Sequence, residues 1–234
     1  MTQIKKDNYI KFLEFFAINQ WNAPSQLSQD LFVIYFSGGK KDGFFLEIGA
    51  CDGFHLSNTL GLERYGWKGI ISEPSSVWHN KIKKRKCIIS KKAVFSESGL
   101  KLKFEEVKKY PELSGLKENL DKDNNHHLRN EANTVEVETI SLNDLIGQNT
   151  SNKNIDYISI DTEGSEYEIL KNFDFKKYNV EIFTVEHNFV EKKRKAIFDL
   201  LSSNNYLRVF TNISQWDDWY IKKNNKILLS MMDN

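Results

Sequence analysis

The stretch that decides the fold is Gly43-Phe-Phe-Leu-Glu-Ile-Gly49-Ala-Cys-Asp52-Gly53. Its apolar run up to Ile48 reads as a buried strand, and the glycine-containing turn that closes it ends the strand sharply. A helix is predicted next, around Leu56 to Tyr65, followed by a second strand, Gly69-Ile-Ile-Ser-Glu73. Strand, glycine turn and helix together expose backbone N–H groups and a helix N-terminus to a bound ligand. The spacing departs from the dinucleotide fingerprint, because Cys51 stands where a glycine would lie against a pyrophosphate. Glu73 ends the second strand, where such a βαβ unit carries a ribose-binding carboxylate. The plain alternative is a tight turn made by Gly49 and Gly53, with Glu73 capping a helix at Pro74.

Outward from this unit, a helix is expected near Val77 to Arg85 and a third strand within Cys87 to Val94. Thr134–Ile140 reads as a strand leading into Ser141-Leu-Asn-Asp144, a helix start capped by Ser141. Two further units follow: Ile155–Ile160 with Glu166–Phe173, and Val180–Val185 with Lys192–Ser203. Tyr206–Thr211 and Trp219–Ile221 form a closing antiparallel pair. The alternation predicts an α/β, Rossmann-like fold, its mostly parallel sheet covered on both faces. Residues 1–40 are expected as an N-terminal helical extension and 41–234 as the main domain. Within the extension, Ile4–Asn19 sets Ile10, Leu13, Phe16 and Ala17 at helical spacing. A second helix, between Pro24-Ser25 and Gly38-Gly39, turns Leu27, Leu31, Ile34 and Tyr35 inward. The polar stretch 105–133 breaks the rhythm and reads as an insert over the carboxyl edge of the sheet, on the substrate side.

Composition sets bounds. A chain of 234 residues and 27.4 kDa suits one α/β domain, and 40% hydrophobic residues supply its core. The net charge of +1 gives no global reason for a polyanionic partner. Cys51 and Cys87 imply no disulfide framework and suit a reducing compartment. With no secretory pattern at its start and no run of about 20 apolar residues, the chain is expected to be cytoplasmic and without a membrane span.

The second chemical constellation is Ile158-Ser-Ile-Asp161-Thr-Glu163-Gly164-Ser-Glu166. Asp161 ends a buried strand, where an unpaired carboxylate is costly without a function. Glu163 and Glu166 fall in a first helical turn, where the dipole favours acids, so helix capping accounts for Glu166. Thr184-Val-Glu186-His187-Asn188 closes the next strand and sets a carboxylate and an imidazole beside Asp161. Lys81, Lys83, Lys84, Arg85, Lys86, Lys91 and Lys92 read as a solvated basic face. His126 and His127 lack further ligands at zinc spacing but are able to touch a substrate if the insert folds over the pocket. Trp216 and Trp219-Tyr220 fit either a sugar-stacking surface or the core.

The runs GFFLEIGACDG, LSNTLGLERYGWKGIISEP, DYISIDTEGSEYEIL, FTVEHNF and DDWY, in that order, resemble the FkbM-type methyltransferases. The resemblance spans Gly43 to Tyr220 and implies a class I methyltransferase fold that uses S-adenosylmethionine. It further implies a hydroxyl acceptor, often on a sugar or glycan or another small molecule. Carried over by position, Glu47, Gly49, Asp52 and Gly53 would form the cofactor loop. Ser57-Asn58-Thr59 would stand near the methionine carboxylate, Glu73 at the ribose and Ala93-Val94 near the adenine. The insert and the N-terminal helices depart from the pattern and leave the acceptor open.

Methyl transfer to an alcohol needs the acceptor aligned and its proton removed. His187 has the pKa of a base near neutrality. Alternatively, Asp161, Glu186 and His187 would ligate Mg²⁺ or Mn²⁺, or His187 would only hold Asp161 in place. Three other functions stay open: a nicotinamide-dependent oxidoreductase, a non-catalytic binding domain, and methylation of protein or RNA. Nothing but the basic run supports a nucleic acid partner. Oligomeric state is not readable.

Overall fold

The computed structural model describes residues 6–120 and 123–232. Two helices, α1 (Lys6–Asn19) and α2 (Gln29–Phe36), precede the first βαβ unit of β1 (Phe44–Ile48), α3 (Leu60–Tyr65) and β2 (Lys68–Ser72). A short α4 (His79–Ile82) leads to β3 (Ile88–Ser90) and β4 (Ala93–Phe95). Then come β5 (Lys101–Val107), β6 (Gly115–Leu116) and β7 (Ala132–Ser141), which runs into α5 (Leu142–Asn149). The second half alternates β8 (Asn154–Ile160), α6 (Glu166–Lys171), β9 (Asn179–Glu186) and α7 (Glu191–Ser203). It closes with β10 (Tyr206–Val209), β11 (Asp217–Lys222) and α8 (Lys226–Met231).

Seven strands form one sheet in the order β10-β11-β9-β8-β1-β2-β3. From β3 to β9 every pairing is parallel, whereas β11 runs antiparallel to both β9 and β10. This is the expected Rossmann-like class I architecture with its antiparallel C-terminal pair. Side chains alternate across the sheet with the strand's period of two. Leu46, Ile48, Ile158, Ile160 and Phe183 pack on one face under α5, α6 and α7. Phe45, Ile71, Tyr157, Ile182 and Trp219 pack on the other with Phe12 of α1, Phe32 and Phe36 of α2 and Leu228 of α8.

Several local expectations need correcting. Residue Ile4, at the start of the predicted first helix, lies outside the described residues. In α1, Ile10 and Leu13 face solvent while Phe12 is fully buried. The packing stripe is Tyr9, Phe12 and Phe16, because Phe12 fits among Phe32, Phe36 and Phe210, with ring centroids 4.5 Å from that of Phe210. The run Cys87–Val94 is two strands on two sheets: β3 extends the main sheet, and β4 pairs with β7. Helix α3 begins at Leu60 rather than near Leu56, and α8 had no counterpart in the sequence reading.

The largest addition is a second sheet, β4-β7-β5-β6. Its core strand β5 carries the alternation Lys101-Leu-Lys-Phe104-Glu-Glu-Val107, half of it ahead of the expected insert. The first residues of the insert are therefore ordered strand, with Phe104, Leu116 and Val137 in a small core of their own. Ser141 caps α5 as expected, its hydroxyl accepting the Asp144 N–H. No helix among the described residues is long and apolar enough to cross a membrane.

At the junction of β1 and β8, Gly49 has φ +83, and a Cβ placed there would lie 1.6 Å from the carbonyl oxygen of Asp161. Both the left-handed backbone and the approach exclude a side chain. Gly49→Ala should therefore lower stability by more than about 1 kcal/mol, the upper end of the ordinary glycine-to-alanine change. Thermal and urea unfolding of the variant measure this, and an unchanged midpoint would contradict the packing.

Candidate active site

A cavity of about 550 Å³ opens at the carboxyl ends of β1, β2, β8 and β9. One side of it is the turn after β1. Glu73 reaches across from β2 and accepts the Cys51 N–H (2.8 Å) through Oε2 and the Ser75 N–H (2.8 Å) through Oε1. Burial pushes its pKa up to about 8 despite those two bonds. Asp52 turns one oxygen inward to the N–H groups of Phe54 and His55, both at 2.8 Å, which fixes the turn. Gly49 and Ala93-Val94 line the same cavity, together with Trp78 and Phe104.

Glu47 lies in the wall, but its carboxylate already has partners. It accepts the Asn58 N–H (2.6 Å) and the hydroxyls of Ser57 (2.9 Å) and Thr59 (2.6 Å). The fully buried side chain of Arg85 stands 3.7 Å away and also donates to Gly53 O at 2.6 Å. This corrects the reading of Arg85 as part of a solvated basic face: it ties the turn after β1 to the entry of α3. Gly53 packs against Arg85 and Ile82, and the cavity wall does not include it. Thr59 likewise lies behind the wall, fully buried on Glu47. Asn58 is in the wall: its Nδ2 donates to Ser159 Oγ (2.9 Å), and its buried Oδ1 has no partner among the described residues.

Opposite the turn, Asp161 and Glu186 end neighbouring parallel strands, as the sequence implied. The third member of the cluster is Glu163, and carboxylate oxygens of Asp161, Glu163 and Glu186 lie within 4.8 Å of one another. Burial raises the pKa of Asp161 to about 6, with hydrogen bonding to Glu186 acting the other way. Burial, then the charge of Asp161, drives Glu186 well up, and its Oε2 has no partner among the described residues. Glu163 is also driven up by burial although Arg129 donates to it at 2.5 Å and Asn188 at 3.3 Å. Arg129 comes from the stretch read as an insert, and the same guanidinium grips both oxygens of Asp123 at 2.8 and 3.0 Å.

His187 does not join this cluster. Its ring is turned away from the cavity, with Nδ1 accepting the Phe189 N–H (3.0 Å) and Nε2 3.8 Å from Asp218. Burial pushes its pKa down to about 4, so it is neutral at pH 7. Its proposed roles as base, as metal ligand and as a partner of Asp161 are all corrected by this orientation: successive residues of a strand point to opposite sides, and Glu186 takes the cavity side. Glu166 does more than favour a helix dipole. Fully buried, it accepts the Thr162 and Gly164 N–H groups at 2.8 and 3.1 Å and an ion pair from Lys193 at 3.1 Å. Burial opposes that charge, yet Lys193 and the two N–H groups hold its pKa below the usual range.

His126 and His127 lie outside the cavity wall, and Trp219 and Tyr220 are core, while Trp216 lines the cavity. Cys51, Leu56, Glu163, Asn188 and Phe189 all line it too, and all have positive φ. Non-glycine residues held there cost of order 1–3 kcal/mol each and concentrate where function requires a fixed geometry. Sequence reasoning missed Asp123, Arg129, Asn188 and Phe189. Asn188 and Phe189 stand in the run FTVEHNF without an assigned role, and nothing in the spacing of Asp123 and Arg129 marks them, since they reach the site only through the fold.

The solved structures similar in fold include PH1948 from Pyrococcus horikoshii, described as a "putative RNA methyltransferase", at 10% identity and a TM-score of 0.42. That match covers 84% of this chain and 82% of the other. A precorrin-6y C5,15-methyltransferase from Geobacter metallireducens GS-15 also matches at 10% identity and a TM-score of 0.42, over 84% of this chain and 86% of its own. No curated protein sequence matches the chain. The family model of the methyltransferase FkbM domain matches residues 47–217, from Glu47 in β1 to Asp217 at the start of β11, and the chain belongs to that family.

Proposed function

We propose that the cavity binds S-adenosylmethionine and that the protein transfers its methyl group to a hydroxyl of a sugar, glycan or similar small molecule. The observation that carries this reading is the pair of buried, unpartnered polar atoms, Asn58 Oδ1 and Glu186 Oε2, on the two sides of one cavity. Buried polar atoms left without partners cost about 1–3 kcal/mol and are satisfied when a ligand arrives. In this reading the ribose hydroxyls lie at Glu73, and the adenine lies between Ala93-Val94 and Phe104. The amino-acid end lies toward Asn58. The sulfonium faces the acidic cluster, whose carboxylates favour a positive charge.

The reaction is an in-line displacement: the acceptor oxygen bonds to the methyl carbon, and the breaking C–S bond leaves its electron pair on sulfur. The acceptor's proton goes to Asp161, the more acidic member of the Asp161–Glu186 pair, with Glu186 sharing the hydrogen bond. Three oxygen donors suit Mg²⁺ or Mn²⁺ in kind. Glu163, however, is held by Arg129, a cation standing beside the position a metal would take. We therefore assign Asp161 as a base working without a metal. EDTA-insensitive turnover is expected, and loss restored by Mg²⁺ or Mn²⁺ would instead assign the carboxylates as ligands.

Glu73→Ala should weaken S-adenosylhomocysteine binding by about 1–3 kcal/mol, the cost of leaving buried ribose hydroxyls without a partner. Calorimetry on the folded variant, with Glu73→Gln beside it, measures this; wild-type affinity in both would exclude the ribose assignment.

For Asp161, the ordinary carboxyl value of 3.8 applies to the unfolded chain and about 6 to the folded one. Between those values the folded state binds the additional proton, so stability falls as pH rises through that window. Turnover should rise across the same window as the base ionises. Asp161→Asn should lower turnover by at least about 100-fold while leaving the melting temperature at pH 7.5 unchanged or higher. A large drop in melting temperature, or near-normal turnover, would remove Asp161 from the reaction.

A further inference from the structure

The mouth of the cavity has a feature that neither cofactor binding nor proton transfer uses. Phe189 is 51% exposed there and Leu56 44% exposed, with Trp216 beside them in the wall. Phe189 and its neighbour Asn188 both sit in the left-handed region, φ 58 and 45, and Leu56 does so at φ 60. Large apolar side chains have no intrinsic reason to adopt that backbone, still less to present half their surface to water. His187 holds the arrangement: its Nδ1 accepts the Phe189 N–H at 3.0 Å, and its ring meets the Phe189 ring edge-on at 5.7 Å. Being neutral at pH 7, the imidazole keeps that lone pair available. Trp216 is fixed from the other side, its Nε1 donating to Gln26 at 3.3 Å.

Acidic groups predominate among the described residues of the mouth. Glu112, Asp123, Asp161, Glu163 and Glu186 line the acceptor side, and no lysine or arginine is among the described residues of the wall. Arg129 stands behind Asp123 and Glu163, where its guanidinium is engaged by their oxygens. An anionic group brought into this space would lose its hydration and meet carboxylates in exchange. A sugar ring without such a group suits it well: one face is C–H and lies flat on an aromatic ring, while the hydroxyl edge is donor-rich and finds carboxylate and amide acceptors.

We propose that Phe189, positioned by His187 and flanked by Leu56 and Trp216, is the platform on which the acceptor sugar lies, and that the acidic mouth restricts this acceptor to sugars without an anionic group. The inference rests on the hydroxyl-methylation reading above and adds to it the seat and the charge class of the acceptor. His187 is a positioning residue in this scheme, acting through Phe189.

The test follows transfer of the labelled methyl group of S-adenosylmethionine to a matched panel of glycosides: a neutral hexoside, its 2-amino analogue, its uronate and its 6-phosphate. Wild-type protein is expected to favour the neutral or amino sugars over the uronate and phosphate by at least 100-fold in kcat/KM. Phe189→Ala should raise the KM of the preferred acceptor at least 10-fold, Phe189→Leu by less, with S-adenosylhomocysteine affinity within twofold of wild type. His187→Ala should raise the same KM, and His187→Asn, which keeps an acceptor near the Phe189 N–H, should recover part of it. Efficient transfer to the uronate or phosphate would overturn the charge class, and an unchanged KM in Phe189→Ala would overturn the platform. Transfer to no member of the panel by protein that binds S-adenosylhomocysteine would instead overturn the underlying hydroxyl-methylation reading.

Discussion

The contact on which the rest depends is the approach of Gly49 to the backbone of Asp161. A single hydrogen bond, from the Asp161 N–H to Ile48 O at 2.9 Å, ends the pairing of β1 with β8, and the absent side chain of Gly49 lets the two chain reversals lie against each other. One reversal becomes the turn whose Cys51 N–H holds Glu73 at the end of β2. The other delivers Asp161 and Glu163. Were the strands to end one residue apart in register, the side chains of Asp161 and Glu186 would change faces, because the period of a strand is two. The site is thus a consequence of sheet register, and glycine at that one position is what permits it.

Around this junction the fold buries many acids and answers them unequally. Glu47 receives three hydrogen bonds and Arg85, and Glu166 receives Lys193 and two backbone N–H groups, so both serve as internal struts. Asp161 and Glu186 lack an ion-pair partner among the described residues, and burial pushes both pKa values up. Buried charges with partners are structural, whereas those without one store free energy that a ligand or a proton releases. Glu163 stands between the two groups, held by Arg129 yet raised by burial. Through that guanidinium the segment between β6 and β7 is joined to the acidic cluster.

Much of this was legible in the sequence because it depends on local pattern. The buried strands announce themselves as apolar runs, the glycine turn as a break, and Asp161 and Glu186 as acids at strand ends. What was not legible depends on direction and on distant contact. His187 and Glu186 are adjacent, and only the register of β9 against β11, with Glu186 opposite Asp217, decides which faces the cavity. Arg85 sits in a run of lysines and is separable from them only by its contacts with Gly53 and Glu63. The second sheet was hidden because β5 is amphipathic and short of apolar residues, although the alternation from Leu102 to Glu106 was available to find it. Phe189 closes the run FTVEHNF, but nothing in that run says that its ring is exposed or its backbone left-handed, since both are properties of the folded chain.

One cavity brings the glycine turn and the acidic cluster together, and we assign both to a single ligand. A crystal structure with S-adenosylhomocysteine bound decides this. Ribose hydroxyls are expected on Glu73, the amino-acid end near Asn58 Oδ1, and the sulfur turned toward Asp161 and Glu186. A ligand bound elsewhere, or one whose sulfur faces away from those two carboxylates, would contradict the assignment.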